Sequence, residues 1–226
     1  MGYRDLLFDG DDTLFDFPRA SGRAFSAMCR AQDLPDTPEV RRLFAETNAS
    51  LWRDFEQGRI TKEYLIVERF ARFLAALGVR RDAAACNAKY LEGLGAGVFP
   101  LPHAEEVCRA LAGGHRLYLI TNAVASVQRS RLRGSVFEPY FTGVFVSEEA
   151  GASKPDRAYF DYALAHISGA AAADCLVVGD SLTTDMQGAN NAGLPCCWYN
   201  PLGLPRPEGL RLDHVIRDLR ELLEIA

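Results

Sequence analysis

The 226-residue sequence predicts an α/β fold: a parallel sheet covered by helices on both faces, with an all-helical insertion after the first strand. Three observations predict it. Leu6-Leu7-Phe8 is a short apolar run that stops abruptly at Asp9-Gly10-Asp11-Asp12-Thr13. Such a run suits a strand buried on both faces, and ligands of open α/β sheets bind beyond the carboxyl ends of their strands. Further along, compact apolar runs alternate with segments of helical period. Between the first run and the others, Asp16 to Gly97 carries no strand pattern.

The later strands are expected at Arg116–Thr121, Gly143–Val146, Cys175–Gly179, Cys196–Tyr199 and, more faintly, Asp213–Ile216. Most are short, apolar and rich in β-branched or aromatic residues. Helices are expected over Glu105–Leu111, Asp156–Ile167, Thr184–Ala192 and Arg217–Ile225, where apolar residues recur three and four apart. Pro155 fits the first position of the second of these. In the insertion, Phe25, Met28, Leu43, Phe44, Leu51, Trp52, Phe55, Tyr64, Leu65, Val67, Phe70, Phe73 and Leu74 fall at helical spacings. Gly58 marks a turn, and Thr61-Lys62-Glu63-Tyr64 can start a new helix. Phe17-Pro18 on one side and the glycines from Gly93 to Gly97, followed by Pro100 and Pro102, on the other read as hinges. The expected division is a core of residues 1–15 and 98–226 with a helical cap of residues 16–97. A lid of that kind excludes water and sorts substrates.

Composition is that of an ordinary globular protein, 48% hydrophobic and 24% charged. A net charge of −5 without any basic run argues against binding a nucleic-acid polymer. No uncharged apolar run approaches the roughly 18 residues of a membrane span, and the N-terminal residues do not read as a signal peptide. The six cysteines form no CxxC pair, which points to buried free thiols and a cytoplasmic setting.

Four segments set reactive groups at strand ends or loop starts. They are Asp9-Gly10-Asp11-Asp12-Thr13, Thr121-Asn122 after Leu119-Ile120, Ser153-Lys154-Pro155-Asp156, and Gly179-Asp180-Ser181-Leu182-Thr183-Thr184-Asp185. Singly, most are ordinary: a strand-end threonine, a lysine before proline, an acid that caps a helix. Two acids at spacing two directly after a buried strand are not, because they serve no packing purpose. A calcium loop starting at Asp9 is excluded, since its sixth and twelfth positions are Leu14 and Ala20 instead of Gly and Glu.

In this order, with the helical insertion between the first and second, the segments resemble the four motifs of the haloacid dehalogenase superfamily. The resemblance implies a Rossmann-like core and, for most members, a Mg²⁺-dependent phosphatase working through an aspartyl-phosphate. Elementary chemistry agrees, because an anionic phosphate ester must be neutralised before a nucleophile can approach. On this reading Asp9 attacks phosphorus and contacts the metal. Asp11 protonates the leaving alcohol and then activates water, with its backbone carbonyl facing the metal. Asp180 completes the protein ligands of Mg²⁺. Asp185 orients the site from behind, by holding Lys154 or a metal-bound water. Thr121 and Asn122 bind the transferring phosphoryl group, and Lys154 offsets its charge. Asp12 stands where relatives often carry glycine and is expected in a turn or capping role.

Gly179-Asp180-Ser181-Leu182 also spells the block of a family of serine esterases. There the block lies near the N-terminus with a late Asp-x-x-His, whereas here it is late and His214 directly follows Asp213. Within the superfamily, Asp11 favours phosphoryl transfer over halide displacement. Leu51 to Thr61, Phe145 to Gly151 and Cys197-Trp198-Tyr199-Asn200-Pro201 are similar to the bacterial pyrimidine nucleotidase branch, which implies a nucleoside monophosphate as substrate. Gly10 departs from that pattern, where a larger apolar residue is usual. Sugar-phosphate phosphatases and phosphomutases share the same catalytic groups, and a non-catalytic binding protein should have lost at least one of them. Trp52 and Phe55, three apart, either face a base or belong to the core of the cap.

Overall fold

A computed structural model describes residues 2–226. Six strands, β1 (Asp5–Asp9), β2 (Arg116–Thr121), β3 (Phe141–Val146), β4 (Cys175–Gly179), β5 (Cys196–Tyr199) and β6 (His214–Ile216), form a parallel sheet in the order β3-β2-β1-β4-β5-β6. The helices are α1 (Phe17–Ala31), α2 (Pro38–Glu56), α3 (Lys62–Ala76), α4 (Ala83–Gly95), α5 (Ala104–Leu111), α6 (Ala125–Arg133), α7 (Ser147–Ala150), α8 (Arg157–Ala165), α9 (Gln187–Ala192) and α10 (Leu222–Ile225). The chain divides into two compact units, residues up to Phe17 with Val98–Ala226, and Pro18–Gly97.

In the first unit β1 is the central strand, with Leu6 opposite Leu117 on one side and Leu176 on the other. Its five residues are all buried, which is why its sequence is apolar without alternation. Leu6 and Phe8 enter a core with Leu119, Val178, Phe15, Phe137 and Leu222. Leu7 enters the opposite core with Ile120, Val177, Tyr159, Phe160 and Trp198. Burying a side chain such as Phe8 contributes about 1.5–3 kcal/mol. Of the two acids of β1, Asp9 enters the site and Asp5 is buried and paired with Arg116 through Nε at 2.6 Å and Nη2 at 2.8 Å.

The second unit is α1 to α4. Thr37, Thr61 and Asp82 cap α2, α3 and α4 by accepting backbone N–H bonds. Phe44 centres its core, stacked on Phe25 at 4.7 Å and on Phe70 at 5.1 Å. Tyr64 and Val67, expected in that apolar stripe, are exposed instead (46% and 39%). Arg69 is buried there, bonded to Asn48 and Asn87 and lying over the Tyr90 ring. Trp52 and Phe55 pack edge to face at 5.6 Å.

Several boundaries differ from the sequence expectation. Strand β3 begins two residues earlier, and β6 starts at His214 because the Asp213 carboxylate accepts the Cys196 N–H. Helix α8 is shorter at both ends: Asp156 is its cap, so Pro155 precedes the helix and does not open it. The expected helix from Arg217 is a 3₁₀ turn, Leu219–Glu221, running into α10, and Asp218 with Glu221 forms a capping box at its start. Helices α6 and α7 have no counterpart in the sequence reading. All six cysteines are buried and unpaired. No helix among the described residues is long and apolar enough to cross a membrane.

Candidate active site

The chain runs outward from β1 to β2 and β3, then returns to place β4 on the other side of β1. Sheets of this order bind ligands where the direction reverses, beyond the strand carboxyl ends. Asp9 ends β1, Thr121 ends β2, and Asp180 follows β4. Lys154 arrives from the loop before α8.

Lys154 Nζ is the hub. It is almost fully buried and donates to Asp9 Oδ1 and Asp185 Oδ1, each at 2.6 Å, and to the Ile120 carbonyl at 3.4 Å. Burial alone disfavours its charge, but Asp185 and Asp9 outweigh that and hold the ammonium firmly protonated. Burial pushes Asp9 upward, and Asp185 and Asp180 add to the push while Lys154 opposes it. Asp180 is raised to about 7, by burial first and then by Asp185. Asn122 clamps the backbone of Lys154, its Oδ1 accepting the Lys154 N–H at 2.9 Å and its Nδ2 donating to the Lys154 carbonyl at 2.8 Å.

Asp185 sits inside the protein on a π-helical turn, Leu182–Met186, and its Oδ2 accepts the Ser181 N–H at 3.2 Å. It reaches this place because Gly179 has no side chain: a Cβ there would overlap the Asp185 carboxylate. Carboxylate oxygens of Asp9, Asp180 and Asp185 lie within 4.8 Å of one another. Three clustered carboxylates with one ammonium, bonded to Asp9 and Asp185, leave two negative charges uncompensated when all are ionised. Hard oxygen donors with that excess fit Mg²⁺, which prefers one or two carboxylates and keeps sites for phosphate and water.

Asp11 lies beside this cluster, in a tight turn where the Leu14 and Phe15 N–H groups both donate to the Gly10 carbonyl. Its carboxylate pairs with Arg131 Nη1 and accepts from Gln128 Nε2 at 3.4 Å. Thr121 Oγ1 accepts from the Ala123 N–H at 3.0 Å and from Gln128 Nε2 at 3.2 Å, and its own proton remains for a ligand. Thr13 is buried and donates to Asp180 Oδ1 at 3.4 Å. Asp12 takes the turn: its φ is +59°, and its carboxylate accepts the Phe17 N–H. The structure thus brings Asp9, Asp11, Thr121, Asn122, Lys154, Asp180 and Asp185 into one neighbourhood.

Sequence reasoning missed Gln128, Arg131 and Thr13. The signal for the first two was a Gln-x-x-Arg spacing just after the Thr121-Asn122 strand end, which puts both on one helix face. Ser181, the serine of the esterase-like block, accepts the Thr184 N–H and lies 3.2 Å from Thr183 Oγ1. His214 is bonded to the Tyr3 hydroxyl.

A family model of haloacid dehalogenase-like hydrolases matches residues 4–193. The chain is 37% identical to HAD-hydrolase YfnB of Bacillus subtilis over 99% of its own length and 95% of that protein. It is 32% identical to the pyrimidine 5′-nucleotidase PynA of Streptococcus pneumoniae, with the same coverage. Against the pyrimidine 5′-nucleotidase YjjG of Escherichia coli the identity is 31%, over 97% of this chain and 96% of that one. The crystal structure of YfnB bound to magnesium superposes with a TM-score of 0.93, covering 100% of this chain and 99% of that one.

Proposed function

The chain belongs to the haloacid dehalogenase-like hydrolases, and from that premise we propose that it is a Mg²⁺-dependent 5′-nucleotidase working through a phosphoryl group on Asp9. The observation that carries this reading is the cluster of Asp9, Asp180 and Asp185, two of which, Asp9 and Asp185, are bonded to Lys154, with Asp11 alongside. Two relatives that align over nearly the whole chain are pyrimidine 5′-nucleotidases by name, which supports a nucleoside monophosphate as substrate.

Asp9, Asp180 and the Asp11 carbonyl would hold Mg²⁺, which when bound would supply positive charge against the phosphate oxygens. The Asp9 carboxylate attacks phosphorus, and Lys154 keeps it aimed and offsets the charge on the phosphoryl oxygens. Thr121 donates its free hydroxyl proton to one of those oxygens. Asp11 gives its proton to the leaving ribose oxygen as the P–O bond breaks. It then takes a proton from water, whose oxygen attacks phosphorus and frees Asp9 and inorganic phosphate. Asn122 serves by fixing Lys154, and Asp185 by holding the Lys154 ammonium. Six buried, unpaired thiols support placing the enzyme in the reducing cytoplasm.

Phosphate release from a panel of nucleoside monophosphates and sugar phosphates tests the reading, with Mg²⁺ or with EDTA. Pyrimidine nucleotides should be hydrolysed with Mg²⁺ and left intact with EDTA, and Asp9→Asn should abolish turnover. An active Asp9→Asn enzyme overturns the covalent step. Hydrolysis of sugar phosphates alone overturns the nucleotide assignment, and interconversion of isomeric sugar phosphates replaces it with a mutase.

A further inference from the structure

Helix α6 turns two polar side chains inward. Gln128 is fully buried; its Nε2 reaches both Thr121 Oγ1 and Asp11 Oδ2, and its Oε1 accepts from Arg131 Nη1 at 3.0 Å. Arg131 is 1% exposed, lies against the Phe15 ring at 4.5 Å, and pairs with Asp11 Oδ1. Its Nε and Nη2 have no hydrogen-bond partner. A buried guanidinium left partly unsatisfied is costly. A leucine would fill the place against Phe15 without that cost, so packing does not explain the arginine. What the arginine does achieve is a grip on Asp11. Gly10 belongs to the same arrangement, since a Cβ there would stand 2.7 Å from Gln128 Nε2.

We propose that Gln128 and Arg131 are positioning residues for Asp11, holding its two carboxylate oxygens from the α6 side and tying them to Thr121. The proposal rests on the reading of Asp11 as acid and base. A reacting group misplaced by about 1 Å can lose roughly 100-fold in rate. Arg131 bonds to none of Asp9, Lys154 and Thr121, so its replacement should spare nucleophilic attack itself, whereas Gln128 also donates to Thr121, which faces the phosphoryl group.

That separation is measurable with p-nitrophenyl phosphate. Its leaving group departs as p-nitrophenolate without needing a proton, so the first turnover depends on Asp9. Later turnovers need Asp11 to take a proton from water. In Arg131→Met the first-turnover burst should stay within about threefold of the parent, while steady-state kcat falls at least about tenfold and KM falls with it, so that kcat/KM, which reports the first step, is kept within about threefold. Arg131→Lys, which keeps the cation, should recover part of the loss. Gln128→Met, which also frees Thr121, should lower the burst to some extent but the steady state by clearly more, and it serves if Arg131→Met does not fold. Burst and steady state falling together with the melting temperature would mean a structural role and overturn the proposal. So would an unchanged kcat in both variants. Asp11→Asn is the control: if it turns over normally, the acid–base reading itself fails, whereas an inactive Asp11→Asn beside a fully active Arg131→Met rejects only the positioning role.

Discussion

Gly179 shows how far a single side chain, or its absence, controls this site. Asp185 occupies the space where a Cβ would stand, and from there it holds both Lys154 and the Ser181 N–H. In Gly179→Ala either the backbone shifts or Asp185 swings out and releases Lys154. We expect a loss of about 1–3 kcal/mol of stability from the overpacking and of roughly 100-fold in kcat from the displaced lysine, read by urea denaturation and by phosphate release. The reacting acids were legible because Asp9, Asp11 and Asp180 follow apolar strands where a carboxylate has no packing purpose. Lys154 was legible only through its order in the chain. Gln128 and Arg131 left only the Gln-x-x-Arg spacing as a signal, since a buried glutamine and arginine on a polar helix otherwise look the same in sequence as solvated ones.

Elements are where the sequence pattern and the structure part most visibly. Strands β1, β2, β4 and β5 were readable because a strand buried on both faces must be apolar throughout. Helix α6 was not, because Ala125–Arg133 buries only Val127 and Leu132 among apolar residues of any size and so carries no apolar period. The segment after Asp180 reads as plain helix from Thr184, yet it opens as a π-helical turn in which the Asp185 and Met186 N–H groups both donate to the Ser181 carbonyl. Such turns recur at functional sites, and this one carries Asp185. Ser181 caps it by accepting the Thr184 N–H at 3.2 Å. Ser181→Ala should therefore cost about 1 kcal/mol in stability while leaving kcat within about twofold. The same substitution would abolish a serine esterase, so turnover of the variant separates the two chemistries in one assay.

At the scale of the whole molecule, the clustered acids should make stability depend on pH and on Mg²⁺ together. Asp180 is raised to about 7 in the folded protein, against an ordinary 3.8. Between those values the native state holds a proton that the unfolded chain has released. The metal-free protein should thus lose stability as pH rises through that window, by up to about 1.4 kcal/mol per pH unit from this group, and level off above 7. Asp12, pushed up to about 6 by burial and by Asp11, acts in the same direction. A divalent cation needs the carboxylate form and competes with the proton. Mg²⁺ should accordingly raise the melting temperature most near pH 8 and little near pH 5.5, and at 100 times its dissociation constant the gain is about 2.7 kcal/mol. Melting curves in EDTA and in Mg²⁺ across this range test the coupling. Asp180→Asn should weaken the pH slope of the metal-free protein and remove most of the Mg²⁺ gain at once, because the Asp180 carboxylate contributes to both. A Mg²⁺ gain that is the same at pH 5.5 and pH 8, or that survives Asp180→Asn, would mean the cation binds elsewhere.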